Sequence, residues 1–509
     1  MLYLGDFWEL VERYKVYCRI TPTAFLTVLQ ESEDSLSFVL KHQQLVNYYD
    51  EQLAGVLRAS NITPSILSKV FLEDGEKQFF LPSSFHPEEF EPILQNYIQL
   101  ENPNVNILQL IYKAQSNSEC PISDNLRLSA KHAIENYRKK HGHDAIKMEY
   151  GGAVGFCEQD EPTKIEFIEG KYQLSYDIHW LEHSLDYPSL LNNFRYIFGM
   201  IDLCGRSVLP AVKAHNGGLE ELFSVKGKRW YKHGTLFKAM EMIASSQMNL
   251  YYDFLRKHGV DLEQVFQWVF ETYLPEEFGV YGFKMNASTS DSTYLEKIKN
   301  LMGEMEGVLK QYRMYVQDGK IDRELFEMSS EHLIIGDIPS LIPDKYVYGY
   351  SKELEHEMAM LFSAQSVLSY TDKTKSKYNT LYKLLQEEKI TLTDFKNYQL
   401  SQIQWLISRG VLEINESDEV VMIFPRVLLL KDLYEHDVVC AYMMKSWHAE
   451  IELLLTSGDL RIGTTLFSEP ERDYLNYVLN KSEYSNGLDL RNKYAHGSYP
   501  NDEMVQKQD

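Results

Sequence analysis

The chain has 509 residues, of which 44% are apolar and 25% charged, so it is long enough for several globular cores and is not a disordered chain. Its 51 basic and 74 acidic residues give a formal charge of −23, which excludes a general attraction for polyanions and restricts any nucleic-acid site to a local patch. No apolar run approaches the roughly 18–20 residues that cross a bilayer, and the N-terminus resembles no signal or transit peptide. We therefore expect a cytoplasmic protein without membrane contact.

Residues 1–340 are predicted to form a mainly helical region that carries no motif we can assign. A β-rich insertion at about 145–180 interrupts the helices, because apolar and polar residues alternate there around a Glu169–Gly170 turn, which is typical of a hairpin. The segment 336–350 is rich in proline and glycine. We place the main domain boundary there.

Residues 351–424 are predicted to form a helix followed by a winged-helix-like segment. Three helical patterns precede a strand–turn–strand pattern, and Gly410 is the expected C-cap of the third helix. A DNA-binding winged helix needs a basic recognition helix, and residues 398–409 offer only Arg409. The sequence therefore favours a scaffold or protein-contact role over DNA binding.

Residues 425–509 are predicted to form a C-terminal helical bundle. Its first part, 426–457, reads as one helix of up to eight turns. Ser468 and Glu471 have the spacing of a capping box that begins the next helix. A loop then leads to the segment LRNKYAHG at 490–497, which carries the most chemical information in the chain.

Arg491 and His496 are the residues of this segment that suit phosphate chemistry. A guanidinium binds phosphate oxygens and stabilises charge that develops in a transition state. Histidine exchanges a proton near neutral pH, and RNA supplies its own nucleophile, the 2′-hydroxyl. Arginine and histidine are therefore close to the minimum set for cleavage of RNA without a metal.

The bare Arg-x4-His spacing also occurs at Arg138–His143, which we interpret as a solvated basic turn. The second copy differs in context, because Asn492 follows the arginine, Gly497 follows the histidine, and helices precede it near the C-terminus. In that context LRNKYAHG resembles the HEPN superfamily, whose ribonuclease members carry Arg-x4–6-His in the last helix of a small helical bundle.

The sequence as a whole predicts a mainly α, multidomain protein, and the resemblance implies a HEPN-like bundle at 425–509. The segment after His496 departs from the family pattern, because it contains Pro500 and the final helix is expected to be only one or two turns long. The resemblance implies that Arg491 stabilises the scissile phosphate, that His496 is the acid/base, and that Asn492 orients or polarises. It also implies a homodimer through this bundle, a metal-independent endoribonuclease without cofactors, and a 2′,3′-cyclic phosphate product. By analogy of architecture, the role would be the toxin or effector of a prokaryotic antiviral (abortive-infection) system, with the large region sensing a signal or binding a regulatory partner.

Two alternatives belong to other classes. In the first, the bundle is a non-catalytic dimerisation or interaction module, Arg491 pairs with Asp489 or Glu483, and His496 caps its helix. In the second, His179, Glu182 and His183 form the H-x-x-E-H pattern of a zinc hydrolase, with two histidine ligands and a glutamate that activates water.

Basic residues interleaved with an aromatic ring suggest RNA contacts outside the motif. The candidates are Lys493 beside the motif and a stretch in the N-terminal region; the alternative for that stretch is a solvated loop. Its residues are Lys226, Lys228, Arg229, Trp230 and Lys232. Because residues 425–509 hold nine basic and fourteen acidic residues, we expect only a narrow positive site, where two copies of Arg491 and His496 meet.

Overall fold

A computed structural model describes the chain at residues 3–31, 33–75, 79–141, 152–168, 171–216, 220, 225–328 and 333–509. The fold is 56% helix and 9% strand, which confirms the predicted mainly α class. Contacts between residues divide it into two compact units. Unit 1 comprises Met1–Met148, Phe223–Lys232 and Lys481–Gly487, and unit 2 comprises the remaining segments. The boundaries predicted near 340 and 424 both fall inside unit 2.

Unit 1 is built from short helices around a single hydrophobic core. Its centre includes Trp8, Leu53 and Leu94, each at most 2% exposed. Asn104 accepts a hydrogen bond from the backbone N–H of Asn106 and so caps one of the later helices. The helices are α1 Leu4–Arg13, α2 Pro22–Glu31, α3 Glu33–Val39, α4 Gln43–Tyr48, α5 Asp50–Ala59, α6 Thr63–Leu67, α7 Phe90–Ile98, α8 Val105–Tyr112 and α9 Asp124–His141.

Unit 2 contains the remaining described helices and all the strands. Ser468 and Glu471 form the predicted capping box at the start of one helix, with the Ser468 hydroxyl accepting from the Glu471 N–H. The helices are α10 Ile178–Glu182, α11 Tyr187–Tyr196, α12 Thr235–Lys257, α13 Leu262–Trp268, α14 Leu274–Phe278, α15 Tyr294–Asp318, α16 Arg323–Met328, α17 Lys352–Phe362, α18 Leu381–Glu387, α19 Asn397–Ser408, α20 Arg426–His436, α21 His448–Ser457, α22 Glu469–Leu479, α23 Leu490–His496 and α24 Glu503–Gln508.

The predicted hairpin of the β-rich insertion is confirmed. Strands β2 (Thr163–Ile168) and β3 (Lys171–Asp177) pair antiparallel, and β1 (Gly152–Cys157) pairs with β3 in parallel. The strand order is therefore β1-β3-β2, with β2 at an edge. The turn predicted at Glu169–Gly170 lies outside the described residues. Asp177 ends β3 and is the N-cap of α10, which begins at the next residue. Its carboxylate accepts a hydrogen bond from the backbone N–H of Trp180.

The order of elements in the winged-helix-like segment is also confirmed. Helices α18 and α19 flank a single 3-10 turn at Leu392–Asp394, and the antiparallel strands β5 (Leu412–Ile414) and β6 (Val420–Met422) follow. Gly410 ends α19 with a φ of 70°, a left-handed conformation that favours glycine.

The single long helix predicted over 426–457 is wrong. Helix α20 ends at His436, because Asp437 adopts a φ of 57° and the chain turns away. Two short strands follow, β7 (Val439–Cys440) before α21 and β8 (Leu460–Gly463) after it. They pair with the two edges of β4 (Tyr346–Gly349). The buried β-branched residue Val439 pairs with Val347 in this sheet, and this pairing overrides the helical spacing of the segment.

A buried ion network joins the elements around α17. Glu357 is fully buried and accepts hydrogen bonds from Arg409 Nε and, at 2.9 Å, from Arg426 Nη2. Arg409 also donates to Asp459 Oδ2 at 2.8 Å, and Arg426 donates to Glu450 Oε1 at 2.8 Å. One carboxylate therefore holds the end of α19 and the start of α20 against α17.

In the part of the chain that the structure describes, no helix is both long enough and apolar enough to cross a bilayer.

We predict that Glu357→Ala lowers the free energy of unfolding by about 3–5 kcal/mol, because the buried guanidinium of Arg426 and the partly buried one of Arg409 lose their shared carboxylate. The matched control is Glu355→Ala on the same helix. The Glu355 side chain is 57% exposed and pairs with Lys213, so its loss should cost less than about 1 kcal/mol. Urea unfolding followed by the helical circular dichroism signal measures both. Equal unfolding midpoints for the two variants would show that the network does not hold these helices.

Candidate active site

The motif lies on α23, a helix of seven residues between two left-handed positions. Asp489 precedes it with a φ of 63°, and Gly497 follows it with a φ of 80°. Leu490 and Tyr494 are buried and anchor the helix, and the Tyr494 hydroxyl donates to Asp509 Oδ2 at 2.7 Å. The motif helix is one to two turns long, as predicted, but it is not the last helix of the chain as expected, because α24 follows it.

Arg491 is held by a carboxylate of α15. Its Nη2 lies 2.8 Å from Glu306 Oε2, and Lys310 Nζ lies 3.0 Å from the other oxygen of the same carboxylate. The side chain of Arg491 is 37% exposed, so part of its guanidinium reaches solvent. The partner of Arg491 is therefore Glu306, and not Asp489 or Glu483, as the interaction-module alternative expects.

The pKa of Glu306 is lowered from its ordinary value near 4.5. Partial burial acts in the opposite direction and disfavours the charged form, but hydrogen bonds from Arg491 and Lys310, together with their positive charges, outweigh it. The carboxylate is therefore ionised at neutral pH, and two cations share its charge. One net positive charge remains on this trio.

Asn492 and Lys493 have different surroundings. Asn492 Nδ2 donates to Asp489 Oδ1 at 2.8 Å, so its amide oxygen is the group that a ligand can approach. Lys493 is half-buried, and within the described residues its ammonium makes no ion pair. The proposed polarising role of Asn492 and the proposed RNA contact of Lys493 both stay predictions.

His496 is the last residue of α23 and is exposed. Within the described residues its imidazole makes no hydrogen bond. It follows Arg491 by five positions, which corresponds to about 140° around an α-helix and about 7.5 Å along it. On a regular helix this spacing directs the two side chains to different sides, and a phosphate site formed by both residues stays a prediction.

Residues that the sequence reasoning missed surround the motif helix. Tyr499 stacks on Tyr494, with ring centroids 5.5 Å apart and planes 3° apart, and Lys299 Nζ lies 4.7 Å from the Tyr499 ring centroid. Lys299 and Lys310 both belong to α15, which is remote from the motif in sequence, so the sequence alone could not place them beside it. Tyr499, only three residues after His496, was within reach of the pattern and is an aromatic surface on which a base could stack.

The basic stretch at Lys226–Lys232 is built into unit 1. Arg229 donates to the Gln115 side chain and to the Ser482 carbonyl, and Lys232 Nζ lies 2.7 Å from Asp74 Oδ2.

The backbone of the same stretch is also bonded. The Lys228 N–H donates to the Leu72 carbonyl at 2.9 Å, and the Lys226 carbonyl accepts from the Asp74 N–H at 2.7 Å. The side chain of Lys228 also donates, through Nζ, to the Val70 carbonyl. Trp230 packs against the core, with Lys113 Nζ 4.9 Å from its ring centroid. The expected RNA contacts of this stretch stay a prediction. The alternative, a solvated loop, does not account for these hydrogen bonds within unit 1.

The other basic turn is partly outside the described residues. Arg138–Lys140 belong to the last turns of α9, whereas Gly142 and His143 are not described.

The structure does not arrange His179, Glu182 and His183, the residues of the zinc-hydrolase alternative, as a metal site. Helix α10 has only five residues, and His183 lies just beyond it with its Nδ1 2.6 Å from the His179 carbonyl. The nearest carboxylate oxygen of Glu182 is 3.8 Å from His179 Nδ1. Across the described ranges, no group of three or more His, Cys, Asp or Glu side chains is arranged to hold a metal ion. The pattern H-x-x-E-H needs a longer helix than the chain forms before Pro188.

No protein-family model, curated protein or solved structure matches the chain.

We predict that Glu306→Gln lowers the free energy of unfolding by less than about 1 kcal/mol at pH 7, because the ion pair is partly exposed and screened. A carboxylate with a lowered pKa stabilises the fold above its ordinary pKa, and this contribution disappears as the pH falls through the lowered value. The difference between the variant and the wild type should therefore begin to shrink below the ordinary pKa near 4.5 and vanish once the pH is below the lowered pKa of Glu306. Asp318→Asn on the same helix is the control. Urea unfolding at a series of pH values would contradict the assignment if the difference persisted in acid.

Proposed function

We propose that the protein is a metal-independent endoribonuclease whose active groups are Arg491 and His496. The observation that carries the proposal is the short helix α23, which presents an exposed histidine and a partly exposed arginine within two turns. The resemblance of LRNKYAHG to the HEPN ribonucleases supports the same reaction. The biological role that we propose is that of an RNA-cleaving effector in a prokaryotic antiviral system.

In the proposed reaction His496 takes the proton from a ribose 2′-hydroxyl, whose oxygen then attacks the adjacent phosphorus. The P–O5′ bond breaks, the 5′-oxygen of the next nucleotide leaves with a proton from the protonated His496 or from water, and the product ends in a 2′,3′-cyclic phosphate. Arg491 binds the non-bridging phosphate oxygens and stabilises the additional negative charge of the transition state. Asn492, held through its amide nitrogen by Asp489, would present its oxygen to the ribose or to a bound water.

The angle between the two side chains favours an active site composed of two chains. Because Arg491 and His496 leave α23 about 140° apart, a phosphate held by the arginine of one chain would meet the histidine of a second chain. A two-fold symmetric pair would contain two such sites. This arrangement agrees with the homodimer that the resemblance implies.

The alternative function is a non-catalytic interaction module. The observation that favours it is the pairing of Arg491 with Glu306, since a carboxylate competes with phosphate for the same guanidinium donors. The two functions differ in one outcome, which is whether RNA is cut at all.

The direct test is cleavage of a mixed-sequence RNA in the presence of EDTA by the full chain. We predict that Arg491→Ala and His496→Ala each reduce the rate at least about 100-fold, because one removes transition-state stabilisation and the other removes the general base. The controls are Arg13→Ala and His132→Ala, which remove exposed residues of the same types in unit 1. Variants that cut as fast as the wild type would refute the nuclease.

The same two variants also test whether the site is shared between chains. When Arg491→Ala and His496→Ala chains are mixed and allowed to exchange, half of the pairs are mixed and each has one intact composite site. We therefore expect recovery of up to about one quarter of the wild-type rate. Absence of recovery, with mixed pairs verified by mass, would mean that each site lies within a single chain.

A further inference from the structure

The edge strand β2 is uncovered on its outer side. Every residue from Lys164 to Ile168 is exposed, and in the described part of the chain β2 pairs with β3 alone. An edge strand of this kind offers alternate backbone N–H and C=O groups to any strand that lies beside it. Pro162 precedes the strand and lacks an N–H, which limits such pairing to the six residues of β2.

One face of β2 is apolar and extends the core-side face of the sheet. Ile165 and Phe167 stand opposite Leu174 and Tyr172 of β3, so their side chains lie on the face whose Leu174 is buried. Ile165 is nevertheless 62% exposed and Phe167 is 64% exposed. The apolar surface of the sheet therefore continues past the helices that cover it.

The other face of β2 carries two opposite charges. Lys164 and Glu166 alternate with the apolar residues, and Lys164 Nζ lies 2.9 Å from Glu166 Oε1. Natural edge strands often carry charges that prevent pairing with another edge. A lysine and a glutamate two positions apart do not prevent two β2 strands from pairing, because the lysine of each copy can lie opposite the glutamate of the other.

The charges and the length of β2 together select one register for such self-pairing, because an axis at Thr163, Phe167 or Ile168 would pair at most three residues of each strand. Two β2 strands related by a two-fold axis perpendicular to the sheet run antiparallel, and one residue lies opposite its own copy. If that residue were Lys164 or Glu166, like charges would face each other. If it is Ile165, then Lys164 faces the partner's Glu166 on both sides of the axis, and Thr163 faces the partner's Phe167.

We infer that β2 is a self-association edge, at which the β2 strands of two copies pair antiparallel about Ile165 to form a continuous six-stranded sheet. Backbone groups of alternate residues exchange about four to six hydrogen bonds along the seam. Ile165 and Phe167 of each copy become covered by the neighbouring strand, and the charged pairs fix the register. This inference does not depend on Arg491 or His496.

The seam is about 20 Å long, which is shorter than the contact line of a standard stable interface. Association through β2 alone is therefore weak and depends on concentration. It adds to whatever other contact joins the chains.

The test uses the full chain and reverses the charges one at a time. In Lys164→Glu, two glutamates face each other across the axis, and in Glu166→Lys two lysines do. We expect each variant alone to self-associate about tenfold more weakly than the wild type. An equimolar mixture of the two variants, and the double variant that carries both changes, restore Lys–Glu pairs and should associate as the wild type does. Sedimentation velocity across the micromolar range measures each sample.

Both side chains are exposed, so the variants should keep the circular dichroism spectrum of the wild type. A wild type whose mass does not rise with concentration would overturn the inference, and so would single variants that associate as strongly as the wild type. A mixture no better than its two components would overturn the proposed register and, with it, the pairing about Ile165. If β2 instead pairs with a strand of a different protein, the isolated wild type should stay monomeric at every concentration. That result would also overturn the inference.

Discussion

The carboxylate of Glu357 determines how the helices of the C-terminal part of unit 2 meet. It is inaccessible to solvent, so its charge must be compensated inside the fold, and two arginines from distant segments do so. Arg409 comes from the end of the winged-helix-like segment and Arg426 from the first turn of α20. The predicted segments on either side of residue 424 therefore share one core and one ion network.

The candidate active site is attached to unit 2 by lighter means. Helix α23 has only two buried side chains, Leu490 and Tyr494, and its remaining anchor is the partly exposed ion pair of Arg491 with Glu306. Helix α24 is tied by Lys507, whose Nζ lies 2.7 Å from Asp253. Short helices with few buried groups open at a smaller free-energy cost than the core does. A site of this kind can be adjusted by a second chain or by a regulator without unfolding the network around Glu357.

Local patterns in the sequence predicted local structure well. The hairpin of β2 and β3, the Gly410 cap and the Ser468 capping box all depend on residues within a few positions of one another, and all are present. Patterns that depend on distant partners failed. The helix predicted through Val439 is broken because β4, almost a hundred residues earlier, supplies a strand to pair with. The segment that contains β4 was predicted to be a domain boundary, although tyrosines at alternate positions are typical of a strand.

The same limit applies to the site. The motif located Arg491, Asn492 and His496 on a two-turn helix, but it could not identify Glu306, which lies 185 positions before Arg491. The five-residue spacing, by contrast, already implies that the two side chains leave a regular helix about 140° apart. The basic stretch at Lys226–Lys232 looked like a solvated patch or an RNA contact, because its partners, Gln115, Asp74 and Ser482, are remote in sequence.

The net charge of −23 restricts how such a nuclease could work. An acidic surface repels RNA except where cations are concentrated, so cleavage should depend strongly on salt and on assembly of the site. The central claim is that the 2′-hydroxyl of RNA is the nucleophile, and the most direct measurement replaces a single hydroxyl. A short RNA with 2′-deoxyribose only on the 5′ side of its cleaved bond should resist cleavage at that bond, while the unmodified RNA yields a 2′,3′-cyclic phosphate in EDTA. Equal cleavage of both RNAs, or products with free 3′-hydroxyl ends, would contradict the account.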